Sequence, residues 1–271
     1  MYEKYWKLDV KPFSNTPDPR FLYLSSQHED VMMKLSYCIV EKMGAGLLTG
    51  VFGCGKTLLG KAILKELGED KYKAVFINNP QVTYVELLRA IVRNLKSSAL
   101  PSRADELLAD PLLETLHNIL LDNMRDGKET VIIIDEAHII QDERIFEELR
   151  LLLNFQLEDR FLLTLILSGQ PELKNKIADL RQFEQRIAIC CHLDALSEKD
   201  TQEYVLHRIK IAGGKNNIFT LDAIKFIHDR SGGIPRRINR MCDLALLTGF
   251  GKKLTKIDKD VIKQVGEDFG V

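Results

Sequence analysis

The apolar and polar positions divide the chain into two regimes. Up to about residue 195, short apolar runs alternate with stretches in which apolar residues recur every three or four positions. The runs at 45–49, 74–78, 131–134, 162–167 and 187–193 have strand length. Between them the periodicity predicts helices over about 26–42, 56–67, 83–95, 111–124 and 145–153. Ser26 with Glu29, and Thr83 with Glu86, have the spacing of capping boxes. Val31, Leu35, Cys38 and Ile39 mark the inward face of the first of these helices. Strands apolar on both faces that alternate with helices predict a parallel sheet covered on each side. In such sheets ligands bind beyond the carboxyl ends of the strands.

After Leu196 no strand pattern remains. Ser197 is expected to cap a helix reaching about Ile211, and Thr220 or Asp222 to open a second. A third starts at Pro235, with Ile238, Met241, Cys242 and Ala245 at helical spacing, and a fourth covers about 258–265. The expected organisation is an α/β domain over 1–195 and a small all-helical domain over 196–271. The leader, residues 1–25, carries Pro12, Pro17 and Pro19 and has no period, so it is expected to be extended and packed on something. A loop is expected around Pro101. Neither an internal repeat nor a low-complexity linker is visible.

Composition narrows the classes. The chain has 271 residues, 45% of them hydrophobic, enough for a sizeable core. Its 38 basic and 39 acidic residues nearly cancel, which argues against a broadly electropositive nucleic-acid binder and leaves room for a local basic patch. The five cysteines, Cys38, Cys54, Cys190, Cys191 and Cys242, form no CxxC pair and sit in apolar runs. They read as reduced thiols of a core, with Cys190 and Cys191 in a buried strand. The start, MYEKYWKLDV, lacks the apolar region of a signal peptide, and no run nears the ~18 apolar residues of a membrane helix. The expectation is a soluble, intracellular protein.

Candidate chemistry lies just past the strand ends. Gly50-Val51-Phe52-Gly53-Cys54-Gly55-Lys56-Thr57 has the glycine spacing and Lys-Thr ending of a phosphate-binding loop. Glycines let backbone N–H groups converge on phosphate oxygens, Lys56 offsets their charge, and the Thr57 hydroxyl can hold Mg²⁺. Leu58 continues the loop into a helix whose N-terminus favours the same anion. Cys54 sits where any small residue would serve, and within such a loop its modification should block nucleotide binding. Asp135 and Glu136 follow the aliphatic run 131–134; one carboxylate can orient Mg²⁺ through water and the other polarise the attacking water. Ser168 and Gln170, in SGQPEL, are both placed to reach the γ-phosphate or the water. Arg181, Arg186, Arg236 and Arg237 are candidates for stabilising charge on a leaving phosphoryl group.

Taken together and in order, GVFGCGKT, VIIIDEAH, LRLLLNFQLED, ILSGQPEL, RQFEQRI and SGGIPRRIN resemble AAA+ ATPases of the general secretion pathway protein A type, with transposition ATPases of the TniB kind sharing the broader pattern. The resemblance covers nearly the whole chain. It implies a P-loop AAA+ core with a five-stranded parallel sheet, a helical lid, ATP and Mg²⁺ as ligands, and ring-like homo-oligomers. Lys56 and Thr57 look like the Walker A pair, and Asp135 and Glu136 like the Walker B pair. Gln170 or Ser168 looks like sensor 1, Arg186 or alternatively Arg181 like the arginine finger, and Arg236 like sensor 2. Asn78 or Asn79 is placed to restrain Glu136, and His28 and Phe13 fall where the family packs around adenine. Val51 stands where many relatives have an acidic residue.

Full-length secretion members often continue into a membrane segment and a periplasmic peptidoglycan-binding part, and neither occurs in these 271 residues. The expectation is therefore a cytoplasmic ATPase without membrane insertion, peripheral to the inner membrane through a protein partner in a membrane-associated machine. One rival is a DNA-associated regulator using Arg230, Arg236, Arg237, Arg240, Lys252, Lys253 and Lys256. The other is a nucleotide switch that does not hydrolyse.

Overall fold

The computed structural model describes residues 1–95, 108–215 and 218–269. The loop expected around Pro101 lies outside the described residues. Two compact units emerge, one made of Glu29–Gly50 and Leu59–Leu193, the other of Met1–His28, Val51–Leu58 and Asp194–Val271. They cut across the linear division at 195.

The first unit holds the parallel sheet. Its strands are β1 (Ala45–Gly50), β2 (Tyr72–Ile77), β3 (Glu129–Ile134), β4 (Leu163–Gly169) and β5 (Ile187–Leu193), in the order β2-β3-β4-β1-β5. All four pairings are parallel. Chain order and spatial order therefore differ: β4 lies between β1 and β3, so the ends of β1 and β3 flank that of β4. The central strands are buried throughout, as their unbroken apolar runs require. β5 is an edge strand and alternates instead, so Cys190 is exposed and Cys191 buried. The expectation of a buried strand carrying both thiols is corrected here, because alternate residues of β5 point to opposite faces and one of those faces is left open.

Helices α2 (Ser26–Val40), α3 (Lys56–Leu67), α4 (Tyr84–Leu95), α5 (Ala109–Arg125) and α6 (Glu143–Leu152) match the periodic stretches. The Thr83–Glu86 box forms reciprocally: Glu86 N–H donates to Thr83 Oγ1 at 3.4 Å, and Thr83 N–H to Glu86 Oε2 at 2.9 Å. At α2 the cap is Ser25 rather than Ser26, with His28 N–H donating to Ser25 Oγ at 3.4 Å. Two short helices, α7 (Glu172–Asp179) and α8 (Arg181–Glu184), lead into β5.

The second unit is helical: α9 (Glu198–Ile211), α10 (Leu221–Ser231), α11 (Pro235–Gly251) and α12 (Lys259–Phe269). Ser197 and Thr220 cap the first two through their hydroxyls. The leader belongs to this unit. It opens with α1 (Glu3–Trp6) and has a single 3-10 turn at Pro19–Phe21, and Tyr2, Trp6, Leu8, Phe13 and Phe21 are buried among the helices' apolar residues. Arg208 fastens it. This arginine is 5% exposed, donates to the carbonyls of Pro12 and Ser14 and to the Tyr204 hydroxyl, and lies over the Phe21 ring at 4.9 Å. Among the described residues no helix is long and apolar enough to cross a membrane.

Candidate nucleotide site

The phosphate loop packs within the helical unit. Gly53 and Gly55 both have positive φ, at 85° and 109°, so the loop turns where a side chain would be strained. Gly53 also lies against the start of α11: Arg236 N–H donates to Gly53 O at 3.3 Å, and a Cβ built on Gly53 would stand 2.8 Å from Arg236 Cβ. The Arg236 guanidinium lies 4.7 Å from the centre of the Phe52 ring, a cation–π contact. Lys56 is 5% exposed and curls back to donate to Val51 O at 3.0 Å. Val51 thus contributes its carbonyl here. Arg237 follows on α11 and is exposed.

Beside the loop is a crevice lined by Tyr23, His28, Cys54, Leu58, Tyr204 and Pro235, among others, all of this unit. Its volume is about 40 Å³, room for about one water and less than a planar base needs. His28 is fixed by Ser25 Oγ at 2.7 Å and Cys54 O at 3.3 Å, and burial holds its ring below the usual imidazole value. Phe13 does not line the crevice; it packs edge-on against Phe219 at 6.0 Å. Tyr204 is a wall the sequence reading missed. Tyr204 and Arg208 are a polar i, i+4 pair on the buried side of α9, and that spacing was the available signal. Cys54 is 1% exposed and burial raises its thiol, so a reagent expected to block the loop through it would react slowly.

The second group lies at the carboxyl ends of β3 and β4. Register pairs Ile134 with Leu167, which brings the next residues, Asp135 and Ser168, alongside. Ser168 Oγ donates to Asp135 Oδ1 at 2.8 Å, and Asp135 is 2% exposed. Glu136 differs. Its backbone is left-handed, φ 55°, its side chain caps nothing although it precedes the 3-10 turn Ala137–Ile139, and one third of it is exposed. Its carboxylate lies 3.4 Å from His138 Nδ1. Gln170 meets the other ring nitrogen, Nε2 to Nε2, at 2.9 Å. Asn78 and Asn79 follow β2 and are exposed, and the contact to Glu136 comes from His138 instead. His138 stood within the recognised DEAH run without a role assigned; only the strand order brings it beside Gln170. Arg181 opens α8 and is exposed, whereas Arg186 is partly buried before β5, its guanidinium 3.5 Å from Asn154 Oδ1.

Among the described residues no group of three or more His, Cys, Asp or Glu is placed to hold a metal ion by itself. The Thr57 hydroxyl and the Asp135 carboxylate are each hard oxygen donors of the kind Mg²⁺ takes.

A parallel five-stranded sheet with a glycine loop after β1 and paired carboxylates after β3 defines a phosphate-loop nucleotide-binding protein. The family model described as AAA domain matches residues 40–177, and the chain belongs to that family. The general secretion pathway protein A of Aeromonas hydrophila is 38% identical over 95% of this chain and 46% of its own length. The ORC1-type DNA replication protein 9 of Halobacterium salinarum is 22% identical over 84% of this chain and 61% of its own. The chain thus spans roughly half the length of these curated relatives. Among solved structures, the ORC2 protein of Aeropyrum pernix superposes with a TM-score of 0.71 at 15% identity, over 96% of this chain and 71% of that one. The RuvB Holliday junction branch migration motor of Thermotoga maritima gives 0.59 at 20% identity, over 89% and 68%. At those identities the likeness is one of fold.

Proposed function

We propose that this chain binds ATP with Mg²⁺, hydrolyses it, and couples nucleotide state to assembly of a secretion-type machine through a protein partner at the inner membrane. The observation that carries the hydrolytic part is the unequal treatment of the two carboxylates after β3. Asp135 is buried and held by Ser168, as a residue that orients a metal must be; Glu136 is partly exposed and takes no capping role, as a base must be.

In this reading residues 50–58 hold the phosphates, Lys56 and Arg236 offset their charge, and Thr57 and Asp135 hold Mg²⁺, with Arg237 in support. The metal supplies charge neutralisation on the phosphate oxygens. Glu136 takes a proton from water as the water oxygen bonds to the γ-phosphorus; the bond from that phosphorus to the bridging oxygen breaks, and ADP leaves with its electron pair. Gln170 or Ser168 senses the γ-phosphate. Arg186, with Arg181 as its alternative, reaches the phosphates of a second copy in a homo-oligomer. The similarity to a general secretion pathway protein A supports the process assigned.

Turnover assays with Glu136→Gln and Lys56→Ala test this. Glu136→Gln is expected to keep ATP binding and to lose about 10²–10⁴ in kcat; equal turnover in the variant and the parent would remove Glu136 as the base. A protein that binds ATP and never hydrolyses it, at any concentration, would be the switch instead. Arg186→Ala mixed with Lys56→Ala should recover part of the activity that each lacks alone.

A second reading, a DNA-associated regulator, is favoured by the likeness to a DNA replication protein and by exposed Arg237, Arg240, Lys252 and Lys253 on and after α11. A salt series separates the two, because phosphate contacts give a steep salt slope.

A further inference from the structure

We propose that His138 is a positioning residue that ties Glu136 to Gln170, so that the base and the side chain sensing the γ-phosphate move as one. The proposal rests on the hydrolytic reading above. Its ground is the geometry of one ring. The Glu136 carboxylate lies 3.4 Å from Nδ1 and the Gln170 side-chain amide 2.9 Å from Nε2. The Gln170 backbone N–H also points at Nδ1, at 3.3 Å. A neutral imidazole has one N–H and one lone pair, so Nδ1 cannot both donate to Glu136 and accept from the Gln170 backbone. Either Nδ1–H donates to the carboxylate and Nε2 accepts from the Gln170 side-chain NH2, or Nδ1 accepts the Gln170 backbone N–H and Nε2–H needs an acceptor, which Gln170 offers only with its amide turned over to present Oε1. Only the first arrangement gives the Glu136 carboxylate a donor on the ring.

The ring is built in rather than incidental. Its side chain is 13% exposed. Its carbonyl accepts from Lys176 Nζ at 2.6 Å, and the same ammonium donates to Ile140 O at 2.7 Å, which ties the 3-10 turn to α7. β4 ends on Gly169, where a Cβ would stand 3.2 Å from both His138 N and His138 Nδ1 and 2.8 Å from Leu173 Cδ2. The end of β4 therefore passes the ring as closely as glycine allows, and the ring joins Glu136 to Gln170 beside the Ser168–Asp135 bond that already spans the two strand ends. A side chain that only filled space would need neither nitrogen engaged.

Two measurements test this. In nucleotide-free protein, the ring ¹⁵N signals of His138, assigned by their loss in His138→Asn, should shift in Glu136→Gln and again in Gln170→Ala. Signals unmoved in both variants overturn the proposal, whatever the protein does with ATP. In turnover, His138→Ala and Gln170→Ala should each lower kcat about tenfold or more, with ATP affinity within about twofold of the parent. The double variant should fall about as far as either single one, because both break the same link. His138→Asn, which keeps an amide near the position of Nδ1, should retain more kcat than His138→Ala. Effects that multiply in the double variant, or an undiminished kcat in His138→Ala, overturn it. A parent that binds ATP without turnover sinks the hydrolytic reading, and the ring signals then decide the link alone.

Discussion

Gly53→Ala tests the packing of the phosphate loop against α11 in one methyl group. The added Cβ meets Arg236 Cβ at 2.8 Å and Ile234 Cγ2 at 3.3 Å, and the residue would have to keep φ 85°. Left-handed backbone costs a non-glycine residue about 1–2 kcal/mol, and overpacking a further 1–3 kcal/mol. The obstacle is a Cβ rather than the end of a flexible chain, so the start of α11 or the loop itself must shift. The sum, about 2–5 kcal/mol, corresponds to a fall in melting temperature of roughly 4–20 °C for a protein of this size. Gly68→Ala is the control: φ is 78° and nothing lies within 4 Å, so only the backbone cost applies, roughly 2–8 °C. Thermal melts of both variants, with and without a non-hydrolysable ATP analogue, separate the steric cost from the backbone cost. Gly53→Ala should also bind the analogue more weakly, since the loop N–H groups are re-aimed, and adding Arg236→Ala should not rescue it because that Cβ remains. Equal melting temperatures for Gly53→Ala and Gly68→Ala, with unchanged analogue affinity, would refute the close approach.

Three further outcomes are expected. Arg208→Ala strands the buried carbonyl of Pro12 and the part-buried one of Ser14 and should cost about 2–5 kcal/mol in urea unfolding, with weaker nucleotide binding expected because Tyr204 loses its donor; a loss under about 1 kcal/mol would show that the leader is not clamped there. His28 and His207 are both held below the usual imidazole value of 6.5, so the unfolded chain takes up protons first as pH falls. Their contribution is complete above about pH 6.5 and declines below it, and His28→Gln should flatten the stability profile between pH 6.5 and 5; an unchanged slope would contradict this. Cys190, exposed on β5, should react with a maleimide well before Cys54 or Cys242, and a label found first on Cys54 would count against the buried loop cysteine.

What the sequence made legible depended on period. β5 and α3 coincide with their apolar patterns residue for residue, and Ser197 caps as its spacing foretold. Sheet order was not legible, because five strands of aliphatic residues carry no label of which pairs with which; yet that order alone sets His138 beside Gln170 and Asp135 beside Ser168. The leader was half legible. Tyr2, Trp6, Phe13 and Phe21 fall at no fixed interval, so the pattern showed that they must be buried without showing in what. β5 misled because a run such as AICCHL reads as doubly covered, and only its place at the sheet edge leaves Cys190 outside. The candidate site's local geometry was legible where a motif carries its own turn, as in residues 50–57, and not where contacts depend on distant segments, as at Tyr204.

The phosphate loop grows out of a strand yet packs with helices. Val51–Leu58 is joined covalently to β1 at Gly50 and to the rest of α3 at Leu59, while its neighbours in the helical unit are the start of α11 and the leader. The Arg236 N–H holds the Gly53 carbonyl, its guanidinium rests on Phe52, and His28 holds the Cys54 carbonyl. Any displacement of α11 or of the leader therefore carries the loop backbone with it, and the loop backbone is what presents N–H groups to phosphate. In the proposed role of Arg236 its side chain need not travel to the loop, because its own main chain is already bonded there. The proposed coupling between nucleotide state and the helical unit would then require no chain of intermediate residues. On the proposed reading, the loop that would grip the phosphates packs in the same unit as α11 and the leader, so Arg208→Ala is expected to alter ATP affinity as well as stability.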